Sequence, residues 1–343
     1  MNFRSDNEAP VAEPILQAII AANQDMAEAY SQDEYSLQLD QMFSDLFETA
    51  VQVVPLTTGT AANSIALASM CPSWGSVVCH QHAHIQEDEC GAPEFFNPGS
   101  KLATLPGDGG KIDALTLQTW LATQGAHGVH QNLPSALSLT QATEAGTVYT
   151  VDEISALCEV AKNNQLHVHM DGARFGNAVA HLNCSPADIT WRAGVDALSF
   201  GAAKNGCMAA EALVVFGHPE WLIPMERRRK QSGHLISKMR YVSAQLLAYI
   251  QSDCWLDLAS KANQHAQCFA QSVISHPSAS LATPVEANEV FLRWPQTKLQ
   301  KLKDAGFEFH VWPGSDDLAR LVFACTTKDE DVSALINCLN TIT

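Results

Sequence analysis

Along the chain, apolar positions fall into short unbroken runs for the first two-thirds and into longer one-sided stripes after that. Val51–Leu56, Ser76–His80, Leu133–Leu139, Leu166–Met170, Val195–Phe200 and Ala212–Phe216 have the length and apolar content of buried strands. Segments with helical spacing lie between them. Val151–Asn163 places Ile154, Leu157 and Ala161 on one face, with Asp152 as its expected cap. Strands buried on both faces and alternating with helices predict an α/β fold built on a mostly parallel, helix-covered sheet.

From about Glu220 the pattern changes. Long helices over Ile236–Ile250 and Trp255–Ile274 are followed by short strands at Val290–Trp294, Phe307–Val311 and Ala319–Ala324, then by a helix starting near Asp329. This tail predicts a small α+β domain over residues 253–343, after a large domain over 1–252. A chain of 343 residues with 46% hydrophobic content can fill both cores.

The net charge of -17 makes nucleic acid and anionic membrane poor partners, because both would repel the chain. Taken alone, the basic cluster Arg227-Arg228-Arg229-Lys230 reads as a solvated helix face. The ten cysteines include no C-x-x-C pair and read as reduced thiols. The N-terminus carries no apolar signal region, and no run approaches the roughly 18 apolar residues of a membrane span. Together these features predict a cytoplasmic protein.

Three segments carry candidate chemistry. Thr58-Gly59-Thr60-Ala61-Ala62-Asn63 follows the first strand and opens a helix, so its free N–H groups and positive dipole end suit a phosphate; a plain threonine cap is the alternative. His169-Met170-Asp171-Gly172-Ala173-Arg174 puts Asp171 at the carboxyl end of a probable parallel strand, the edge at which such sheets bind ligands. An aspartate there can hold the protonated ring nitrogen of pyridoxal 5'-phosphate (PLP), or merely cap the next helix. Ser199-Phe200-Gly201-Ala202-Ala203-Lys204-Asn205-Gly206 sets Lys204 in a small-residue turn after a buried strand, where desolvation can make an amine nucleophilic; a snorkelling lysine is the alternative.

Phosphate turn, aspartate and lysine in this order form the layout of the aspartate-aminotransferase-like PLP-dependent transferase fold (fold type I). Together with Phe3-Arg4-Ser5-Asp6, His84 followed by Glu89, Asn177-Ala178 and a match reaching Arg320, they make the chain resemble the threonine aldolase family. The resemblance implies a seven-stranded-type large domain and a small C-terminal one. It implies that Lys204 bonds PLP, Asp171 holds the pyridine nitrogen, and Gly59 and Thr60 bind the phosphate. His84 would stack on the ring and act as a base, so that Lys204, His84 and Asp171 are the expected catalytic residues. Ser5, Arg174 and Arg320 would surround the substrate carboxylate or the cofactor's phenolic oxygen, and Arg229 would reach the phosphate from a neighbouring subunit of a homodimer or homotetramer.

The implied reaction is cleavage of β-hydroxy-α-amino acids (L-threonine, L-allo-threonine or a phenylserine-like substrate) to glycine and an aldehyde. The same apparatus also serves β-elimination, transamination and racemisation. The sequence departs from the commonest family pattern at Asn205–Glu211, at Thr143 in place of a second histidine, and at His234–Lys238 in place of a glycine run. No metal ligand set is assigned. The alternations His80-x-His82-x-His84 and His167-x-His169-x-Asp171 nonetheless leave a metal-dependent hydrolase as a weaker reading, since residues two apart on a strand share a face.

Overall fold

The computed structural model describes residues 1–312 and 314–342, with Ser252 represented by its backbone. Seven strands, β1 (Val51–Leu56), β2 (Gly75–His80), β3 (Lys101–Leu105), β4 (Leu133–Thr140), β5 (His167–Gly172), β6 (Ala197–Gly201) and β7 (Glu211–Phe216), form one sheet. Their spatial order is β1-β7-β6-β5-β4-β2-β3. Strands β3, β2, β4, β5 and β6 are mutually parallel, and β7 runs antiparallel to both β6 and β1. The carboxyl ends of β1, β4, β5 and β6 and the first residue of β7 therefore meet at one edge.

All six expected strands are present, with ends displaced by at most two residues. β3 escapes the hydrophobic pattern because it is an edge strand, paired on one side and largely open on its faces. The helix Val151–Asn163 forms as expected, but its cap is Thr150 and not Asp152. Thr150 Oγ1 accepts from Glu153 N–H at 3.2 Å and Glu153 Oε2 accepts from Thr150 N–H at 2.7 Å, a reciprocal pair that satisfies two otherwise free donors.

Aromatic side chains fill the space between the sheet and its outer helices. Phe200 on β6 meets Phe43 edge-on at 5.2 Å between ring centroids and Trp255 at 5.9 Å, and Phe47 meets Phe216 at 5.2 Å. A second core lies in the C-terminal region under an antiparallel sheet of four strands: β8 (Ser280–Leu281), β9 (Glu289–Arg293), β10 (His310–Val311) and β11 (Leu318–Val322), in the order β10-β11-β9-β8. The expected strand Phe307–Val311 shrinks to its last two residues because Glu308 spends its backbone groups on the N-terminus. Glu308 N–H donates to Met1 O at 2.9 Å and Glu308 O accepts from Phe3 N–H at 2.8 Å.

The expected helix Ile236–Ile250 begins instead at Arg240, after an irregular turn whose Ser237 O accepts from Tyr30 N–H at 3.0 Å. The helix Cys254–Ile274 passes from one core into the other: Trp255 packs in the first, and Ala266, Phe269, Ala270 and Val273 pack in the second. No helix among the described residues is long and apolar enough to cross a membrane, and all ten cysteines are free.

Because Phe200 joins the strand that precedes Lys204 to this aromatic layer, Phe200→Ala is expected to lower unfolding free energy by about 3–5 kcal/mol. Chemical denaturation followed by tryptophan fluorescence measures it, and a loss below about 1 kcal/mol would show that the layer does not support β6.

Candidate active site

The ligand-binding edge is built by four chain reversals. After β1, Thr58 caps the helix Gly59–Met70, its Oγ1 accepting from Ala61 N–H at 3.3 Å. The cap alternative is thus realised, yet the turn stays open: a Cβ built on Gly59 would meet nothing within 4 Å. The first-turn N–H groups of Gly59 and Thr60 remain available to an anion.

Asp171, at the end of β5, is buried. Its Oδ1 accepts from Ala173 N–H at 3.0 Å and its Oδ2 from Asn63 Nδ2 at 2.8 Å, while the next helix, Phe175–Leu182, begins at Arg174 without a side-chain cap. Asp171 is therefore not a helix cap. Asn63 also donates to Glu89 Oε1 at 2.9 Å, and Glu89 Oε1 lies 2.8 Å from His84 Nδ1. His84, Glu89 and Asp171 gather with oxygen and nitrogen atoms all within 4.8 Å of one another. The hydrogen bond that His84 Nδ1–H donates to Glu89, assisted by the charge of Asp171, raises the His84 pKa above the ordinary histidine value despite partial burial.

Lys204 sits in a single 3-10 turn, Ala203–Asn205, directly after β6. Asn205 anchors the turn by donating to Tyr249 Oη at 2.6 Å and Trp255 O at 2.8 Å, and Gln245 Oε1 accepts from Met208 N–H at 2.8 Å. The positive φ of 111° at Gly206 lets the chain turn back toward β7. Among the described residues the Lys204 amine has no hydrogen-bonding or ion-pair partner, although its charge acts on Asp6, His84 and Glu211.

The arginines differ in how far they are committed. Arg174 gives Nε and Nη2 to Asp6 at 2.8 and 3.0 Å and Nη1 to Glu289 at 3.0 Å. Arg320 on β11 lies 3.8 Å from Glu289, over the Trp312 ring, and its Nε has no partner. Ser5 caps a short turn by accepting from Asn7 N–H at 3.2 Å, and its neighbour Asp6 makes the contact to Arg174.

The solvated-face reading of the basic cluster holds for Arg227 and Lys230, which are exposed, and is corrected at Arg229, which is buried against its own chain. Arg229 donates to Glu226 at 3.0 Å and to Ser31 Oγ at 2.9 Å, an arrangement that a reach into a neighbouring subunit would have to break. His234, three residues beyond the helix Leu222–Gln231 that carries Arg229, meets the residue preceding Thr58, with Nδ1 at 2.7 Å from Thr57 Oγ1.

Sequence reasoning missed two carboxyls at this edge. Glu144 accepts from His84 N–H at 2.7 Å and from Thr140 Oγ1 at 3.0 Å; burial, reinforced by Asp171, pushes it up to about 7. Glu211 accepts from Ala202 N–H at 3.2 Å and is likewise pushed up to about 7 by burial. A charged residue opening the otherwise apolar strand Glu211–Phe216 was the available signal. Thr143, at the position of the second family histidine, instead closes its own turn through Gly109 O at 3.0 Å and Thr147 Oγ1 at 2.8 Å.

Among the described residues, neither histidine alternation brings its own three residues together as a ligand set. β2 ends at His80, so His82 and His84 leave the strand. His169 is sealed between Ser138 Oγ at 2.9 Å and Ser199 Oγ at 3.0 Å, and burial pushes it down to about 4.

The residues present fit PLP. An open helix N-terminus, a buried oriented carboxylate and an unpartnered lysine share one edge, and Glu89 Oε2 and Asn63 Oδ1 remain without partners beside them. The architecture is that of the fold type I PLP-dependent enzymes.

The chain belongs to the beta-eliminating lyase family, whose model matches residues 2–296, and within it to the threonine aldolases. It is 40% identical to the low specificity L-threonine aldolase of Pseudomonas aeruginosa over 333 residues, covering 97% of this chain and 95% of that one. The Saccharomyces cerevisiae low specificity L-threonine aldolase is 25% identical, over 90% of this chain and 79% of the other. The structure of Leishmania major threonine aldolase superposes with a TM-score of 0.92 at 24% identity, covering 99% of this chain and 98% of that one, a likeness of fold.

The Glu89 contact carries a titration consequence. Glu89→Gln removes the charged acceptor that favours the His84 imidazolium, so the His84 pKa should fall toward or below about 6.5. NMR titration of the ring measures the shift, and an unchanged His84 pKa would show that Glu89 does not set it.

Proposed function

We propose that the protein is a PLP-dependent aldehyde-lyase that cleaves β-hydroxy-α-amino acids of the threonine class to glycine and an aldehyde. L-threonine, L-allo-threonine and phenylserine-like compounds are the proposed substrates. The observation that carries this reading is the unpartnered amine of Lys204, set at the same sheet edge as buried Asp171 and the open turn at Gly59. The names of the relatives support the same reaction class.

Bound there, the cofactor supplies an electron sink for the pair left at Cα when a bond to that carbon breaks. Every other part of the task falls to the chain. Asp171, kept aligned by Asn63 and by Ala173 N–H, accepts the proton-bearing ring nitrogen in a charge-assisted hydrogen bond. Gly59 and Thr60 present helix N-terminal N–H groups to the phosphate. Arg320 has donor capacity to spare and takes the substrate carboxylate, with Ser5 and Arg174 beside it, which fixes the Cα bond that is broken. His84 holds its Nδ1 proton toward Glu89, so Nε2 is the atom that receives the proton of the β-hydroxyl as the aldehyde leaves.

Lys204→Ala is expected to abolish both the visible absorbance of lysine-bound PLP and the release of glycine and aldehyde. Asp171→Asn should retain the fold and lose at least ~10²-fold in turnover, the scale of removing a preorganised charge partner. Absorbance scans and product assays check both. Near-normal turnover by either variant would sink its assignment, and products other than glycine and aldehyde would point to elimination, transamination or racemisation.

A cytoplasmic homodimer or homotetramer is the proposed form. Phe95, Ile223 and Met208 support self-association, as large apolar side chains that are 77, 68 and 57% exposed in the single chain. The free cysteines accord with a reducing compartment. Light scattering of the active enzyme should give a dimeric or larger mass, and a monomeric mass would refute self-association.

A further inference from the structure

At the opposite edge of the sheet, three side chains from three chain segments converge. His167 opens β5, Asp196 directly precedes β6, and His218 follows β7 by two residues. The antiparallel course of β7 brings its end to the edge where β5 and β6 begin. His218 Nε2 lies 3.2 Å from Asp196 Oδ1 and His167 Nδ1 lies 3.7 Å from Asp196 Oδ2. The donor atoms of all three residues fall within 4.8 Å of one another.

The group is held rather than merely adjacent. Val168 N–H fixes Asp196 Oδ2 at 2.7 Å, and the backbone of Asp196 pairs with Val168 and Phe216, both at 2.9 Å. His218 stacks on Trp221 with 4.0 Å between centroids and 10° between planes, and His167 meets the same indole edge-on at 4.9 Å. Glu220 Oε1 lies 3.0 Å from His218 Nδ1. Both nitrogens of His218 therefore face carboxylate oxygens. With Nδ1–H donating to Glu220, the Nε2 lone pair faces Asp196 and a cation between the two atoms satisfies both; without one, the ring has to carry a second proton.

The spacing suits a metal ion. Ligand atoms placed tetrahedrally at zinc–nitrogen and zinc–oxygen bond lengths are about 3.3–3.5 Å apart, and the two imidazole-to-carboxylate distances, one to each oxygen of Asp196, fall just either side of that range. Two imidazoles and one carboxylate favour a transition metal over magnesium or calcium. A histidine whose other nitrogen is held by a carboxylate is the usual arrangement around such ions. The three side chains are 40, 25 and 26% exposed and border a cleft of about 940 Å³, which leaves water free to complete the coordination.

We infer that His167, Asp196 and His218 form a zinc-type divalent metal site, with Glu220 orienting His218. The site lies apart from Lys204 and Asp171 and ties together the ends of β5, β6 and β7.

The test uses the full-length PLP-loaded enzyme after removal of metals by a chelator, titrated with Zn²⁺ by calorimetry and with Co²⁺ by visible absorbance. One equivalent per chain is expected, with a rise in Tm. His167→Gln with His218→Gln should abolish both while leaving turnover unchanged, and Glu220→Gln should weaken binding about 10-fold or more. His84→Asn should leave the binding intact, which separates this group from the cluster at the other edge. Failure of the unaltered enzyme to bind Zn²⁺ would overturn the inference and assign the contacts to protons alone. Binding that survives the double substitution, or that disappears with His84→Asn, would overturn it equally.

Discussion

Buried carboxylates at the carboxyl edge of the seven-stranded sheet are the constraint around which the rest is arranged. Asp6, Glu89, Asp171, Glu211 and Glu289 are all buried, and Glu144 has an oxygen sealed from water without a partner. Ionised groups in such surroundings persist when paired or hydrogen-bonded and otherwise take up a proton. Arg174 pairs Asp6 and Glu289, His84 pairs Glu89, and Asn63 bridges Glu89 to Asp171. Among the described residues Glu144 and Glu211 have no such cation at bonding distance, and burial drives both up to about 7. Asp171 is held by neutral donors, Asn63 Nδ2 and Ala173 N–H, and among the described residues has no cation at bonding distance.

The same electrostatics join the parts of the molecule. Arg174 from the turn after β5, Asp6 from the N-terminal segment, and Glu289 and Arg320 from the C-terminal sheet form one chain of contacts. Breaking one partner out of a buried ion pair typically costs about 3–5 kcal/mol, so these links resist relative movement of the two cores. The helix Cys254–Ile274 adds a rigid connection by packing in both. Arg320 and Asp171 are in this way kept in register by elements far apart in sequence.

Strand β5 shows how surroundings assign roles to similar residues. His167, His169 and Asp171 alternate on one face. His167 opens onto a cleft beside Asp196, His169 is neutral between two serine hydroxyls, and Asp171 reaches the ligand edge. Position along the strand, and therefore access to water and to carboxylates, separates a partly exposed histidine beside a carboxylate, a neutral core histidine and a buried carboxylate.

Local sequence determined the strands and helices that are buried on their own account. Val51–Leu56 and Val151–Asn163 were legible to the residue because apolar periodicity reports burial directly. The turn at Thr58–Asn63, Asp171 and Lys204 stood out in the sequence because each lies at the end of a buried strand, at the edge where such sheets bind ligands. Edge strand β3, the shortened strand at His310–Val311 and the in-chain burial of Arg229 were not, since each depends on a partner distant in sequence. The pairing of Arg174 with Asp6 and Glu289, the pressure on Glu144 and Glu211, and the meeting of His167, Asp196 and His218 likewise arise only in the folded chain. Charge interactions depend on distance in space and on exclusion of water, and neither quantity is written in the order of residues.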